Sequence, residues 1–152
     1  MRQLSGGCSC GAICYRLLAS PMFTHACHCS LCQKLTGSAF IVNTMIEGRH
    51  FRLDSGRLKR FAGPSGSNQQ HALYRCEACG DPIVSYYGGS ERIAVVKVGT
   101  LDDPQALPPQ AHVYVSSKLD WVVLSENVPQ FEAFYSFSEA WPEESRERLK
   151  KL

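Results

Sequence analysis

Seven of the eight cysteines of this chain fall into three tight clusters: Cys8-Ser9-Cys10, Cys27-His28-Cys29-Ser30-Leu31-Cys32, and Cys76-Glu77-Ala78-Cys79 followed by Gly80. Thiols this close along a chain serve a soft metal ion better than a disulfide. A pair separated by one residue cannot easily present the torsion that a disulfide requires. Both of its sulfurs can, however, reach one zinc ion at about 2.3 Å. Cys-x-x-Cys-Gly is a zinc-knuckle turn, in which the glycine relieves crowding as backbone N–H groups swing toward the sulfurs. The pattern predicts a fold organised around zinc.

The rest of the composition narrows the class. A chain of 152 residues with 44% hydrophobic content can build a core without disulfide staples. Residues 1–8 form no apolar leader, and no stretch approaches the roughly 18 apolar residues of a membrane span. The expectation is a cytoplasmic protein with no membrane partner, whose thiols stay reduced and available to metal. A formal net charge of +2 gives no basic footprint for nucleic acid. Eight prolines and twelve glycines, scattered along the chain, favour a turn-rich, mainly β protein.

Strand signals dominate. They cover 12–17, 39–46, 71–75, 83–87 and 92–98, with a late strand over 112–115 followed by the apolar Trp121-Val122-Val123-Leu124. Residues 50–53 and 58–61 read as a hairpin across Asp54-Ser55-Gly56. Strand, Cys76-x-x-Cys79-Gly80 turn and strand together make a rubredoxin-type knuckle. Helix is confined to a turn or two from Ser30 to Leu35 and to 138–152, where a basic last turn suits a helix C-terminus. The boundaries are a single zinc-binding domain over 1–135 and a C-terminal tail, helical or frayed, over 136–152.

Seven thiolates divide as four plus three. Structural zinc takes four protein ligands, and catalytic zinc commonly takes three plus an exchangeable position. Cys8, Cys10, Cys76 and Cys79 make one closed site, tying the N-terminus to the middle of the chain. Cys27, Cys29 and Cys32 then form a compact tripod with one position left over. The same arithmetic also permits Cys8 and Cys10 to join Cys27 and Cys29, with Cys32 loose. Cys14, alternating with Ile13 and Tyr15, reads as a small buried hydrophobe. His28, between two ligands, points away from the metal, and His25, His50, His71 and His112 read as satisfied or exposed strand histidines.

Zinc held by three thiolates carries a formal charge of −1 and acidifies water less than zinc held by three neutral histidines. Hydrolysis is therefore not its natural chemistry. A soft site favours a sulfur ligand, and the metal can also polarise a small carbonyl. Both point to carbon–sulfur bond chemistry.

Gly6-Gly7-Cys8-Ser9-Cys10-Gly11-Ala12, then 27–37, Phe51-Arg52-Leu53-Asp54-Ser55-Gly56, Arg75-Cys76-Glu77-Ala78-Cys79-Gly80, and His112-Val113-Tyr114-Val115 with Trp121 resemble the glutathione-dependent formaldehyde-activating enzyme family. That family also includes centromere protein V. The likeness runs from about residue 5 to residue 132. It implies a β-tent fold of antiparallel sheets around a four-cysteine zinc-ribbon-like site, with a structural zinc on Cys8, Cys10, Cys76 and Cys79. A catalytic zinc would sit on Cys27, Cys29 and Cys32, with glutathione as co-substrate. The implied activity is S-(hydroxymethyl)glutathione synthesis from glutathione and formaldehyde, a carbon–sulfur lyase class. Many members carry two basic residues after the third tripod cysteine. This chain has Gln33-Lys34, leaving Lys34 to meet a substrate carboxylate.

The leading expectation is thus a zinc-dependent carbon–sulfur lyase or synthase whose partners are a small thiol and an aldehyde. A second is a non-catalytic zinc module that binds a partner, its tripod closed by a fourth ligand such as His25 or by a group of the partner. A third is a redox or zinc-shuttling site working through Cys29 and Cys32.

Overall fold

The computed structural model describes residues 4–152. Its strands are Leu4–Gly7 (β1), Cys14–Leu17 (β2), Phe23–Cys27 (β3), Ile41–Glu47 (β4), Phe51–Ser55 (β5), Leu58–Gly63 (β6), His71–Cys76 (β7), Pro82–Tyr87 (β8), Ile93–Lys97 (β9), Ala111–Val113 (β10) and Gln130–Phe131 (β11). Helices cover Ser30–Thr36 (α1), Phe137–Ala140 (α2) and Glu143–Lys150 (α3). The fold is mainly β, with antiparallel sheets as expected. No helix among the described residues is long and apolar enough to cross a membrane.

The strands form a three-stranded sheet, β1-β2-β5, and an eight-stranded sheet, β11-β10-β3-β4-β9-β8-β7-β6. All pairings are antiparallel except those of β10 with β3 and with β11. In the large sheet, side chains alternate between two buried faces. Ile46, Val84, Ala94 and Val96 pack on one side against Ile13, Tyr15 and Leu17 of the small-sheet segment. On the other side, Phe23, Cys27, Ile41, Met45 and Val95 pack with Tyr135 and Trp141 from the C-terminal segment. Burial on both faces explains why central strands read as near-continuous apolar runs.

Two expectations change. Residues 50–61 do not fold as a hairpin. β5 pairs with β2 in the small sheet, while β6 pairs with β7 in the large one. Gly56, with φ +81, turns the chain between them. Local alternation marks strands but does not choose their partners. Cys14 lies on a strand as read, but it is exposed. Ile13, Tyr15 and Leu17 take the core side, leaving Cys14 and Arg16 outward. Alternation has a period of two and no sign, so a mildly apolar thiol cannot fix the face by itself.

Other parts lay outside the reading. β3 (Phe-Thr-His-Ala-Cys) is buried throughout but lacks the alternation of a half-buried strand. Residues 121–124 form no strand, and Trp121 and Val123 are exposed. Gly6 sits where β1 meets the loop after β9. A Cβ there would lie 2.3 Å from the Thr100 carbonyl oxygen, so no other residue fits without moving backbone. The 138–152 segment is helical in α3 and docks on the core through buried Trp141 and Ser145. The Ser145 hydroxyl donates to the Met22 carbonyl at 2.5 Å.

Candidate active site

The first cysteine cluster joins the two sheets. Cys8 and Cys10 follow β1, whereas Cys76 ends β7 and Cys79 lies in the turn to β8. Their four sulfurs lie within 4.8 Å of one another. Cys8 Sγ is 3.3 Å from Cys10 Sγ, and Cys10 Sγ is 3.8 Å from Cys76 Sγ. Four thiolates around a tetrahedral zinc at the usual bond length stand about 3.8 Å apart. The knuckle turn is formed: the Gly80 N–H donates to the Cys76 carbonyl at 2.9 Å, with Gly80 at φ +83. The two loops are also stitched directly, since the Ser9 N–H donates to Asp81 Oδ2 at 2.7 Å. The Ile13 N–H donates to Cys8 Sγ at 3.2 Å, a contact that favours the thiolate form.

The second cluster lies on the opposite face of the large sheet. Cys27 closes β3, Cys29 is the N-cap of α1, and Cys32 stands in its first turn. Their sulfurs again lie within 4.8 Å of one another. The Cys32 N–H donates to Cys29 Sγ at 3.4 Å, so Cys29 caps the helix as well as joining the cluster. Hydrogen bonds from the Cys27 and Cys32 thiols hold the Cys29 thiol well below its ordinary value. The donor set suits a thiophilic ion, and the three sulfurs converge as a zinc tripod requires. Cys8 and Cys10 group with Cys76 and Cys79, and Cys32 stays with Cys27 and Cys29, so the alternative partition does not occur.

Among the described residues no histidine or carboxylate joins the tripod. His28 is fully buried and turned to the side, its Nε2 3.0 Å from His112 Nδ1. His25 Nδ1 is 2.8 Å from the Tyr135 hydroxyl, and burial pulls the His25 pKa down to about 3. His71 Nδ1 is 2.9 Å from the Pro64 carbonyl oxygen, and His50 Nδ1 is 3.3 Å from Glu47. No histidine among the described residues joins either cluster, but not all are satisfied: His28 Nδ1 and His71 Nε2 are buried with no hydrogen-bond partner. Gln33 turns back to donate to the carbonyls of His28 and Ser117, while Lys34 projects from α1 into solvent.

Beside the tripod stands a polar group that sequence patterning missed. Lys97 is only 4% exposed, and its ammonium donates to Asn43 Oδ1 at 2.9 Å. Burial pulls Lys97 down to about 8 against the opposing pull of Cys32 and Cys27. Burial also pushes up the Tyr87 and Tyr114 hydroxyls, and the tripod sulfurs add to both shifts. Tyr114 sits in the left-handed region at φ +56, which is uncommon for an aromatic residue. One signal for Lys97 and Asn43 was present in the sequence: each is a polar residue inside an otherwise apolar strand. Only the sheet register places them next to the cysteines.

The profile of the glutathione-dependent formaldehyde-activating enzyme family matches residues 3–117. The chain belongs to that family. The matched segment contains both cysteine clusters together with Asn43 and Lys97, and it ends before Tyr135 and α3. Comparison with curated proteins finds no match. Among solved structures, a crystal structure of a Rhodobacter sphaeroides protein aligns with TM-score 0.49 at 17% identity, covering 83% of this chain and 98% of that one.

Proposed function

We propose that this protein is a carbon–sulfur lyase or synthase that joins a small thiol to an aldehyde, in the manner of S-(hydroxymethyl)glutathione formation. Family membership supports the glutathione and formaldehyde theme. The observation that carries the reading is the three-sulfur cluster without a fourth protein donor among the described residues. A module closed by a ligand of its own would need that fourth donor. Cys27, Cys29 and Cys32 hold a catalytic zinc in this proposal, and Cys8, Cys10, Cys76 and Cys79 hold a structural one. Zinc, when bound, supplies a Lewis-acid centre that favours the thiolate form of a thiol and polarises a carbonyl.

The protein's own residues orient the reactants. Cys27 is fixed by β3, while Cys29 and Cys32 are fixed by the first turn of α1, so the open side of the cluster is set by a strand and a helix. Lys34 supplies a cation on the outer side of α1 for a carboxylate of glutathione. The test is cobalt substitution followed by glutathione titration. A thiol-dependent change in the cobalt spectrum, saturating at one thiol per chain, is expected. A cobalt spectrum insensitive to glutathione and to every small thiol would sink the reading.

A further inference from the structure

We propose that Lys97 is a substrate-contacting catalytic residue, its ammonium donating to the oxygen of the aldehyde carbon that the thiol attacks. The inference rests on the carbon–sulfur reading above and adds the group that receives the oxygen.

Sheet register brings the lysine to the cysteines. His25, Asn43 and Lys97 are direct partners across β3, β4 and β9, and direct partners point to the same face. Cys27 lies two residues beyond His25 and therefore on that face too. Strand rise and spacing put the Cα atoms of Cys27 and Lys97 about 12 Å apart. The lysine stem crosses part of that gap, its ammonium reaching Asn43 on the intervening strand.

The bonding of the ammonium is incomplete. It has three N–H donors, and Asn43 takes one of them. Among the described residues no carboxylate forms an ion pair with it. A buried, unpaired charge is costly and calls for a counter-charge. The groups that pull on it favourably are Cys32 and Cys27. Three thiolates with one zinc would sum to −1, a charge opposite in sign to the ammonium and one that does not use its free N–H groups. Its remaining N–H groups are left for an oxygen that gains negative charge during the reaction, where a preorganised donor in a water-poor site is most effective.

The step balances without an oxidant or reductant. The sulfur lone pair forms the carbon–sulfur bond, and the carbonyl π pair moves onto oxygen. That oxygen takes a proton from Lys97. The proton that the thiol gave up on becoming a thiolate then restores the ammonium. Thiol plus aldehyde gives the hydroxyalkyl thioether, and the reverse sequence breaks it down.

The test uses the cobalt-substituted full chain and two probes, ethanethiol and 2-mercaptoethanol. The hydroxyl of the latter, one carbon farther from sulfur than the adduct oxygen, stands in for it. The wild type is expected to bind 2-mercaptoethanol about tenfold more tightly than ethanethiol, the effect of one charge-assisted hydrogen bond. Lys97→Met should retain both metal ions and its ethanethiol affinity but lose the preference, and Lys97→Arg should recover part of it. An unchanged preference in Lys97→Met, or none in the wild type, overturns the assignment. Loss of the tripod metal in Lys97→Met but not in Lys97→Arg also overturns it, because Lys97 would then be a structural counter-charge. If neither thiol perturbs the cobalt spectrum of the wild type, the carbon–sulfur reading itself falls, and Lys97 with it.

Discussion

Cys29 serves two purposes at once, and a single substitution can separate them. Its sulfur caps α1 and also belongs to the tripod. Serine keeps a hydrogen-bond acceptor at the cap but is a poor ligand for a soft ion. Cys29→Ser is therefore expected to leave the fold intact and to lower zinc from two ions per chain to one by native mass spectrometry. Cys14→Ser is the matching control. Its thiol is exposed and outside both clusters, so metal content should stay at two and stability should shift by less than about 0.5 kcal/mol. A Cys14→Ser protein with reduced zinc would contradict the four-plus-three partition. At this scale the cysteine clusters were legible in the sequence, because ligand spacing within a cluster is a local property. Lys97 and Asn43 were not, because their meaning depends on which strands pair.

Among the elements, α3 shows how a segment outside the matched family region is fixed to the sheet. Arg148 on α3 donates from Nε to Glu47 Oε1 at 2.8 Å and from Nη2 to Oε2 at 2.5 Å. Glu47 ends β4 and is 2% exposed. Burial alone would raise its carboxyl, but the hydrogen bonds and charge of Arg148 outweigh it and hold the carboxyl at about 2 rather than 4.5. A depressed carboxylate stabilises the folded state above its unfolded value, and that contribution is lost as pH falls from about 4.5 toward about 2. Arg148→Met leaves the buried Glu47 without its bidentate partner and with only the longer contact to His50, at a cost of about 3 kcal/mol near neutral pH. Thermal melts should show the gap between wild type and variant narrowing across that acid window. A gap that stays constant down to pH 2 would mean the pair does not hold α3. Elements with a helical pattern, an alternation or a continuous apolar run, such as α1, β7 and β9, were readable. β3 was not, since Thr24 and His25 break its apolar run, and neither were the partners of β5 and β6, since long-range pairing leaves little trace in a local window.

For the molecule as a whole, the four-cysteine cluster bridges the N-terminal cysteine loop and the β7–β8 knuckle across 66 residues of chain, beside the Ser9–Asp81 hydrogen bond. The tripod, in contrast, is completed within one strand end and one helical turn. The first closes a long loop, whose entropy cost a bound metal would offset. The second closes a short one. A chelator should therefore remove the metals in order. An ion on the three-thiolate site, to which no fourth donor among the described residues belongs, should leave first and without change in far-UV circular dichroism. Loss of the second ion should release β1 and β2 from the knuckle. Forfeiting even about 5 kcal/mol of the metal's contribution would lower Tm by roughly 10–20 °C in a chain of this size. Cys76→Ser should reproduce that fall in the presence of zinc, whereas Cys29→Ser should not. Simultaneous loss of both ions with a single unfolding transition would make the two sites one cooperative unit, and the separation of structural from catalytic metal would have to be abandoned.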